Sequence, residues 1–311
     1  MSILREQGTA YLAMRRSLGY KLRGHGYLLM EFIGYLEDHG HSTVTIDAAM
    51  SWATAPAGAT RTYWNRRLSV ARCFARYLSA FDPACQIPPA GLIGPSEARP
   101  APYLYSPEEI SALIHAAGTL ASPLQAATHQ ALISLLAVTG MRPGEAVALD
   151  VGDVDLDAAL VTVHGKYDRT RLVPLHPTTV TMLRQYRRRC RQLCPAPSSP
   201  GFFLSPAGTR LAVSRVDAVF AQLLARIGIN GRRGRPARVH DLRHSFAVTS
   251  LTDWYRAGVD VAARMPLLSA FMGHAGPAST FYYLHAAPEL LGLAAQRLHD
   301  HQQQHPRREE P

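Results

Sequence analysis

Residues 158–175 read AALVTVHGKYDRTRLVPL: two β-rich runs, AALVTVHG (158–165) and RLVPL (171–175), separated by the polar break KYDRT (166–170). Two short β-prone runs around a polar turn predict a small antiparallel hairpin. Lys166 falls at its tip. The segments on either side have apolar residues at three- and four-residue intervals, the period of a helix with one buried face. The expected fold is therefore mainly α, with one small antiparallel sheet set inside a helical domain.

Upstream of the hairpin, SPLQAATHQALISLLAVTG (122–140) predicts a buried helix closed by Gly140, and RPGEAVAL (142–149) opens the next with Pro143 and Glu145 in its first turn. Arg142 sits at that junction. Farther upstream, Ser106-Pro107-Glu108-Glu109 has the pattern of a capping box, with serine as the cap and Glu109 reaching back. Downstream, PTTVTMLRQYRRRCRQL (177–193), VSRVDAVFAQLLARIG (213–228) and HDLRHSFAVTSLTDWYRAG (240–258) all favour helix. FMGHAGPAST (271–280) places His274 after Gly273, at a bend between two helices. PELLGLAAQRL (288–298) suits a short apolar-faced helix, and HDHQQQHPRREEP (299–311) is too polar to pack, so a disordered tail is expected.

The first 92 residues also have helical periodicity, with Tyr27, Leu28, Phe32, Tyr35 and Leu36 recurring on one side. In TRTYWNRRLSVARCFARYL (60–78), Trp64, Leu68, Ala71, Ala75 and Leu78 share a stripe, while Arg66, Arg67, Arg72 and Arg76 point elsewhere and are candidates for meeting phosphates. IPPAGLIGPSEARPAP (87–102) concentrates proline, glycine and small residues, the composition of a segment without regular structure. The expected division is a helical domain at 1–92, a linker at 93–105, a second domain at 106–298 and the polar tail at 299–311. Fully extended, such a linker spans at most roughly 40 Å, enough for two domains to grip opposite sides of a duplex.

The chain has 311 residues, 47% of them hydrophobic, ample for two buried cores. No apolar run is long enough to span a membrane and no apolar leader opens the chain, so a cytoplasmic location is expected. Cys73, Cys85, Cys190 and Cys194 form no paired CxxC motif, and neither a metal nor a disulfide is assigned to them. The net charge of +10 favours a polyanionic partner, nucleic acid first. Lys21 and Lys166 are the only lysines, so 31 of the 33 basic residues are arginine, a bias that genomic base composition also produces.

From Arg142 onward the chain carries Arg142, Lys166, His240, Arg243 and His274 ahead of Tyr283, an order suited to attack on a phosphodiester. Two permanently charged guanidiniums can hold the oxygens of a phosphate under attack. Lysine and histidine can move protons, and tyrosine can be the nucleophile if nearby cations stabilise its phenolate. His240 and Arg243 are spaced to share one side of a helix. The HxxR spacing alone is weak, since composition predicts about 1.4 matches by chance and a second occurs at His305/Arg308. Tyr282 and Tyr283 lie about 100° apart around a helix, so only one can point into a given site. No carboxylate cluster resembles a two-metal nuclease, and cleavage without magnesium or any other cofactor is expected.

TGMRPGEA (139–146), HGKYDRTRLVPL (164–175), HDLRHSFA (240–247), MGHAGPAST (272–280) and YLH (283–285) together resemble the motifs of the tyrosine recombinases, the phage-integrase family. They follow the family's order across residues 138–285, while the first 100 residues resemble its helical, SAM-like core-binding domain by architecture only. The resemblance implies that Arg142 and Arg243 bind the scissile phosphate, Lys166 is the general acid, His240 assists proton transfer and His274 hydrogen-bonds the phosphate. It selects Tyr283, nine residues after His274, as the nucleophile that forms a 3′-phosphotyrosyl intermediate. It further implies double-stranded DNA as partner and four protomers on two DNA sites exchanging strands through a Holliday junction, with 288–298 the candidate segment for docking on a neighbour. The YYLHAAPELL ending (282–291) is more similar to recombinases of transposons and other integrating elements than to chromosome resolvases. Integration, excision, inversion and transposition all use this strand chemistry.

Two alternatives accompany that expectation. A type IB-like relaxing enzyme would use the same phosphotyrosyl chemistry but reseal the original ends. An accessory DNA-binding recombinase would keep the fold and depend on partner recombinases for exchange.

Overall fold

A computed structural model describes residues 2–96, 101–165, 170–232, 235–274, 276, 280–283 and 288–304. The chain divides into two compact units, Met1–Pro100 and Ala101–Pro311. No helix among the described residues is long and apolar enough to cross a membrane.

The first unit is four helices, α1 (Ile3–Ser17), α2 (Arg23–Asp38), α3 (Ile46–Thr54) and α4 (Arg61–Leu78). Ser2, Thr45 and Thr60 cap the first, third and fourth with side-chain oxygens that accept from backbone N–H groups. Phe32, Leu36, Trp52, Leu68 and Phe74 close the core. Tyr27, read from sequence as part of the apolar stripe, faces solvent instead; Leu28, Phe32 and Leu36 carry the buried side of α2.

Helix α4 divides its arginines between structure and surface. Arg67, expected to meet phosphate, is buried: its Nη1 donates to Glu31 Oε1 at 2.6 Å, its Nη2 donates to the Trp52 carbonyl at 3.0 Å, and its guanidinium lies 3.9 Å from the Trp52 ring centre. A guanidinium is flat enough to stack on an indole while its edge serves two acceptors. Arg72 is half-buried and donates to the carbonyls of Pro88 and Pro89 at 2.7 and 2.8 Å. Both are thus committed inside the unit, and Arg66 and Arg76 are the exposed pair. Helical periodicity separates apolar from polar positions but does not say which arginine finds an internal acceptor.

The second unit runs α5 (Pro107–Gly118), α6 (Pro123–Thr139), α7 (Pro143–Ala148), β1 (Val154–Asp155), β2 (Leu160–His164), β3 (Thr170–Pro174), α8 (Pro177–Leu193), α9 (Val213–Arg226), α10 (Asp241–Arg256), α11 (Val261–Met272) and α12 (Pro288–Gln304). Residues 280–283 are also helical. The capping box at α5 forms as its residues require: Glu109 N–H donates to Ser106 Oγ at 3.2 Å, and Ser106 N–H donates to Glu109 Oε2 at 2.9 Å. The hairpin is antiparallel, with Val161 opposite Val173 and Val163 opposite Arg171. It gains a third strand, β1, pairing Val154 with Val161; two residues are too few to show a period in sequence.

Apolar side chains of α5, α6, α8 and α9 and the inner face of the sheet make the main core. A smaller one joins α10 and α11 to Tyr283 and Leu290. The segment expected to be a linker is anchored at both ends: Ile93 packs on the first core, and Tyr105 is buried in the second unit, its N–H donating to Ser245 Oγ at 2.8 Å. Helix α12 reaches Gln304, six residues into the stretch read from sequence as a disordered tail. Strong helix formers such as glutamine extend a helix that packing has already nucleated. Residues 305–311 lie outside the described residues. Within α12, Arg297 donates to the carbonyls of Gly258 and Val259 of its own chain at 2.9 and 2.7 Å.

Replacing Arg67 by alanine strips two acceptors and the Trp52 ring of their partner and should cost about 1–3 kcal/mol. Arg76→Ala should change stability by less than about 0.5 kcal/mol. Urea denaturation of the two variants checks the contrast.

Candidate active site

Two chain reversals bring the site together. Helix α6 ends at Gly140 with φ +59°, where a Cβ would lie 2.5 Å from the Phe246 ring, so only glycine fits. The chain turns straight into Arg142 and α7, whose first turn is fixed by Arg142 N–H donating to Glu145 Oε2 at 3.1 Å. Helix α11 ends at Gly273, φ +68°, where a Cβ would meet the Arg171 guanidinium at 2.7 Å. His274 follows, its N–H donating to the Ser269 carbonyl at 3.0 Å.

Arg243, in the first turn of α10, ties these reversals to each other. Its Nη1 donates to the Gly140 carbonyl at 2.6 Å and its Nη2 to the Met272 carbonyl at 2.8 Å. Arg142 Nη2 reaches the Gly273 carbonyl at 3.1 Å, and its Nη1 pairs with Glu145 Oε1 at 2.6 Å. The other oxygen of Glu145 takes Arg171 Nη2 at 2.7 Å, while Arg171 Nε donates to the Phe271 carbonyl at 3.0 Å. Burial works against ionisation of Glu145, but hydrogen bonds from Arg171 and Arg142 outweigh it and hold its carboxyl below the usual range. Burial, reinforced by Arg142, lowers Arg243 to about 10, so it stays protonated at neutral pH. Three guanidiniums around one carboxylate leave positive charge in excess, and Arg142, with a side chain 41% exposed, can present it to a ligand.

Tyr283 is buried against this cluster, whereas Tyr282 is half-buried. The Tyr283 ring centre lies 6.1 Å from that of His274, with the planes 26° apart. Burial raises the Tyr283 phenol above its ordinary value, and the charge of Arg243 pulls it back. His274 Nδ1 and Thr280 Oγ1 are 2.7 Å apart, which leaves Nε2 for another partner. His240 immediately precedes α10 at the site's edge and makes no side-chain capping bond; its imidazole is lowered by burial and then by Arg243. Of the six residues singled out from sequence, five converge here; Lys166 lies outside the described residues. His164, the last residue of β2, pairs with Asp153 at 3.1 Å.

Three further residues belong to the cluster and were not read from sequence as parts of it. In the sequence Glu145 shows only as a first-turn helix residue. Arg171 is a strand residue with no spacing signal, placed by its contact with Gly273. His244 follows Arg243 directly; its ring lies 5.3 Å from His240 and 5.4 Å from Tyr283, centre to centre. Its buried Nδ1 has no hydrogen-bond partner among the described residues. The RH pair in HDLRHSFA was the available signal, but a helix residue adjacent to a buried arginine ordinarily faces away from it.

A family profile described as "Phage integrase family" matches residues 104–289. The integrase/recombinase-type protein y4rB of Sinorhizobium fredii is 41% identical over 308 residues, covering 96% of this chain and 98% of the relative. Tyrosine recombinase XerC of Mycobacterium tuberculosis is 31% identical over 315 residues, covering 96% and 99%. Among solved structures, the Tn1549 transposon integrase in complex with transposon right-end DNA shares the fold with a TM-score of 0.68 at 16% identity, covering 94% of this chain and 99% of that one.

His244 and His274 both titrate at about 4, lowered first by burial and then by neighbouring positive charge, His240 for the former and Arg243 for the latter. Between that value and their ordinary 6.5 the unfolded chain binds protons that the folded chain refuses. Stability is therefore full above the ordinary value and falls as pH drops toward 4. Thermal melts of the DNA-free protein should show this decline, and His244→Gln should make it shallower.

Proposed function

We propose that this chain, which belongs to the phage integrase family and is a site-specific DNA recombinase of the tyrosine type, breaks DNA by attack of Tyr283 on the scissile phosphate. The Tyr283 oxygen bonds to phosphorus as the bond to the 5′ oxygen breaks, leaving a 3′-phosphotyrosyl link and a free 5′-hydroxyl. A 5′-hydroxyl of a partner strand then reverses the step, so no energy source beyond the phosphodiester is consumed. Holding the bond energy in the protein–DNA link is the advantage of covalent catalysis here.

Each described residue has a share in that step. Arg142 and Arg243 neutralise the nonbridging oxygens as charge builds on them. His274, with Nδ1 engaged by Thr280, offers Nε2 to one of those oxygens. His240 takes the phenol proton; burial keeps its imidazole neutral and able to accept. Lys166 supplies the proton to the departing 5′ oxygen. The positive charge that a metal ion would otherwise bring comes from guanidiniums, so cleavage proceeds in EDTA. The observation that carries the proposal is the convergence of Arg142, Arg243 and His274 on buried Tyr283, with Arg142 donating to the carbonyl of Gly273, 131 residues farther along the chain.

In the same proposal, residues 1–92 form a core-binding domain and 106–298 the catalytic domain, and the partner of both is double-stranded DNA. Arg66 and Arg76 serve as exposed phosphate contacts, and four protomers on two sites exchange strands through a Holliday junction. Arg67 and Arg72 take no part in these contacts, since both are committed inside the first unit.

The test uses suicide duplexes drawn from the flanks of the encoding element, incubated in EDTA with wild type, Tyr283→Phe and Tyr282→Phe. A covalent protein–DNA adduct lost only with Tyr283→Phe is expected. Loss only with Tyr282→Phe would overturn the choice of nucleophile, and no wild-type adduct on DNA shown to be bound would point to an accessory role.

A further inference from the structure

Helix α8 carries a charge pattern that the proposed cleavage chemistry does not use. Residues 184–191 contain Arg184, Arg187, Arg188, Arg189 and Arg191, and the helix has no acidic residue. Arg184, Arg188 and Arg191 recur at i, i+4 and i+7, one stripe on the helix surface, while Leu183, Tyr186 and Cys190 face the core. Like charges at that spacing oppose helix formation, so the stripe is held by packing on its other side.

Internal partners account for little of this charge. Arg187 lies 5.4 Å from the Phe202 ring centre. Arg184 Nη2 donates to Asp157 Oδ1 at 2.7 Å, but that carboxylate side chain is 97% exposed and such pairs bind weakly. Arg191 gains from the negative end of the helix dipole. Arg188, Arg189 and Arg191 are exposed and have no ion-pair or hydrogen-bond partner among the described residues. A chain rich in arginine would scatter such residues among acidic ones; here they are gathered on an acid-free helix.

The stripe's length and place identify what it fits. From Arg184 to Arg191 the helix rises about 10 Å, over which one strand of a duplex presents about three phosphates. Arg184 also donates to the Leu156 carbonyl at 2.9 Å, which sets it at the turn between β1 and β2. That turn is at the opposite end of β2 from His164, roughly 13 Å along the strand. We propose that the arginine stripe of α8 is a second DNA-contact surface, which holds another duplex by its phosphates while the first lies at Tyr283. The proposal rests on the DNA-recombinase reading and extends it to capture of a second duplex, independent of base sequence because phosphate contacts carry none.

The experiment uses the full chain with Tyr283→Phe, loaded on a biotinylated duplex fixed to beads, and measures capture of a fluorescent duplex of unrelated sequence across a salt series. With Arg184, Arg188 and Arg191, the three residues of the stripe, all changed to glutamine, capture should fall at least tenfold, on the order expected when several phosphate contacts are lost, and the salt exponent should drop by about 2.7, three contacts at about 0.9 each. Retention on the bead duplex and the melting temperature should not change, and changing the same three residues to lysine should preserve capture. Equal capture and an equal exponent in the glutamine variant would overturn the proposal, as would loss of capture in a folded lysine variant. A failure of the Tyr283 reading shows in the adduct assay with Tyr283 restored, and leaves the capture result unaffected.

Discussion

The two hydrogen bonds from Arg243 to the Gly140 and Met272 carbonyls are the constraint on which the site depends. Both acceptors belong to helix C-termini, where carbonyls lack intrahelical partners and carry partial negative charge. A buried guanidinium needs such acceptors, and the helix ends need a donor, so one residue satisfies both. By fixing the ends of α6 and α11 against α10, Arg243 sets where Arg142 and His274 emerge. Glu145 then holds Arg142 and Arg171 in register from the other side. A single carboxylate among three guanidiniums makes the cluster stable without neutralising it, which is the electrostatic state that favours an incoming phosphate.

The histidines follow from the same excess charge. His240, His244 and His274 are all held below their ordinary titration range by burial and nearby cations. They are therefore neutral near pH 7 and able to accept a proton. Tyr283 is held in its phenol form by burial and is eased toward phenolate by Arg243. A bound phosphate, by adding negative charge at this point, would strengthen the proton affinity of the imidazoles at the moment the phenol must release its proton.

Much of this was legible in the sequence because it is local. The capping box at Ser106 and Glu109, the glycines that end α6 and α11, and the hairpin at 158–175 are each written in adjacent residues, and the chemical residue types stand out against a helical background. The roles of Arg67 and Arg72 were not legible. A helical period says that an arginine leaves the apolar stripe, not that the Trp52 or Pro88 carbonyl waits beside it. Arg171 was hidden for the same reason: its contact with Glu145 crosses from a strand to a helix. Strand β1 and the last turns of α12 escaped because their stability comes from neighbours, not from their own composition.

The most direct measurement is the rate of covalent adduct formation by Arg243→Lys on a bound suicide duplex. Lysine keeps the charge but cannot donate in a planar fork to two carbonyls while facing a phosphate. The rate should fall by about 10²–10³, the scale of losing a preorganised oxyanion donor, while DNA binding stays within a few-fold. A rate within about tenfold of wild type, with the protein folded and DNA bound, would contradict the claim that the double seat of Arg243 organises the phosphate site.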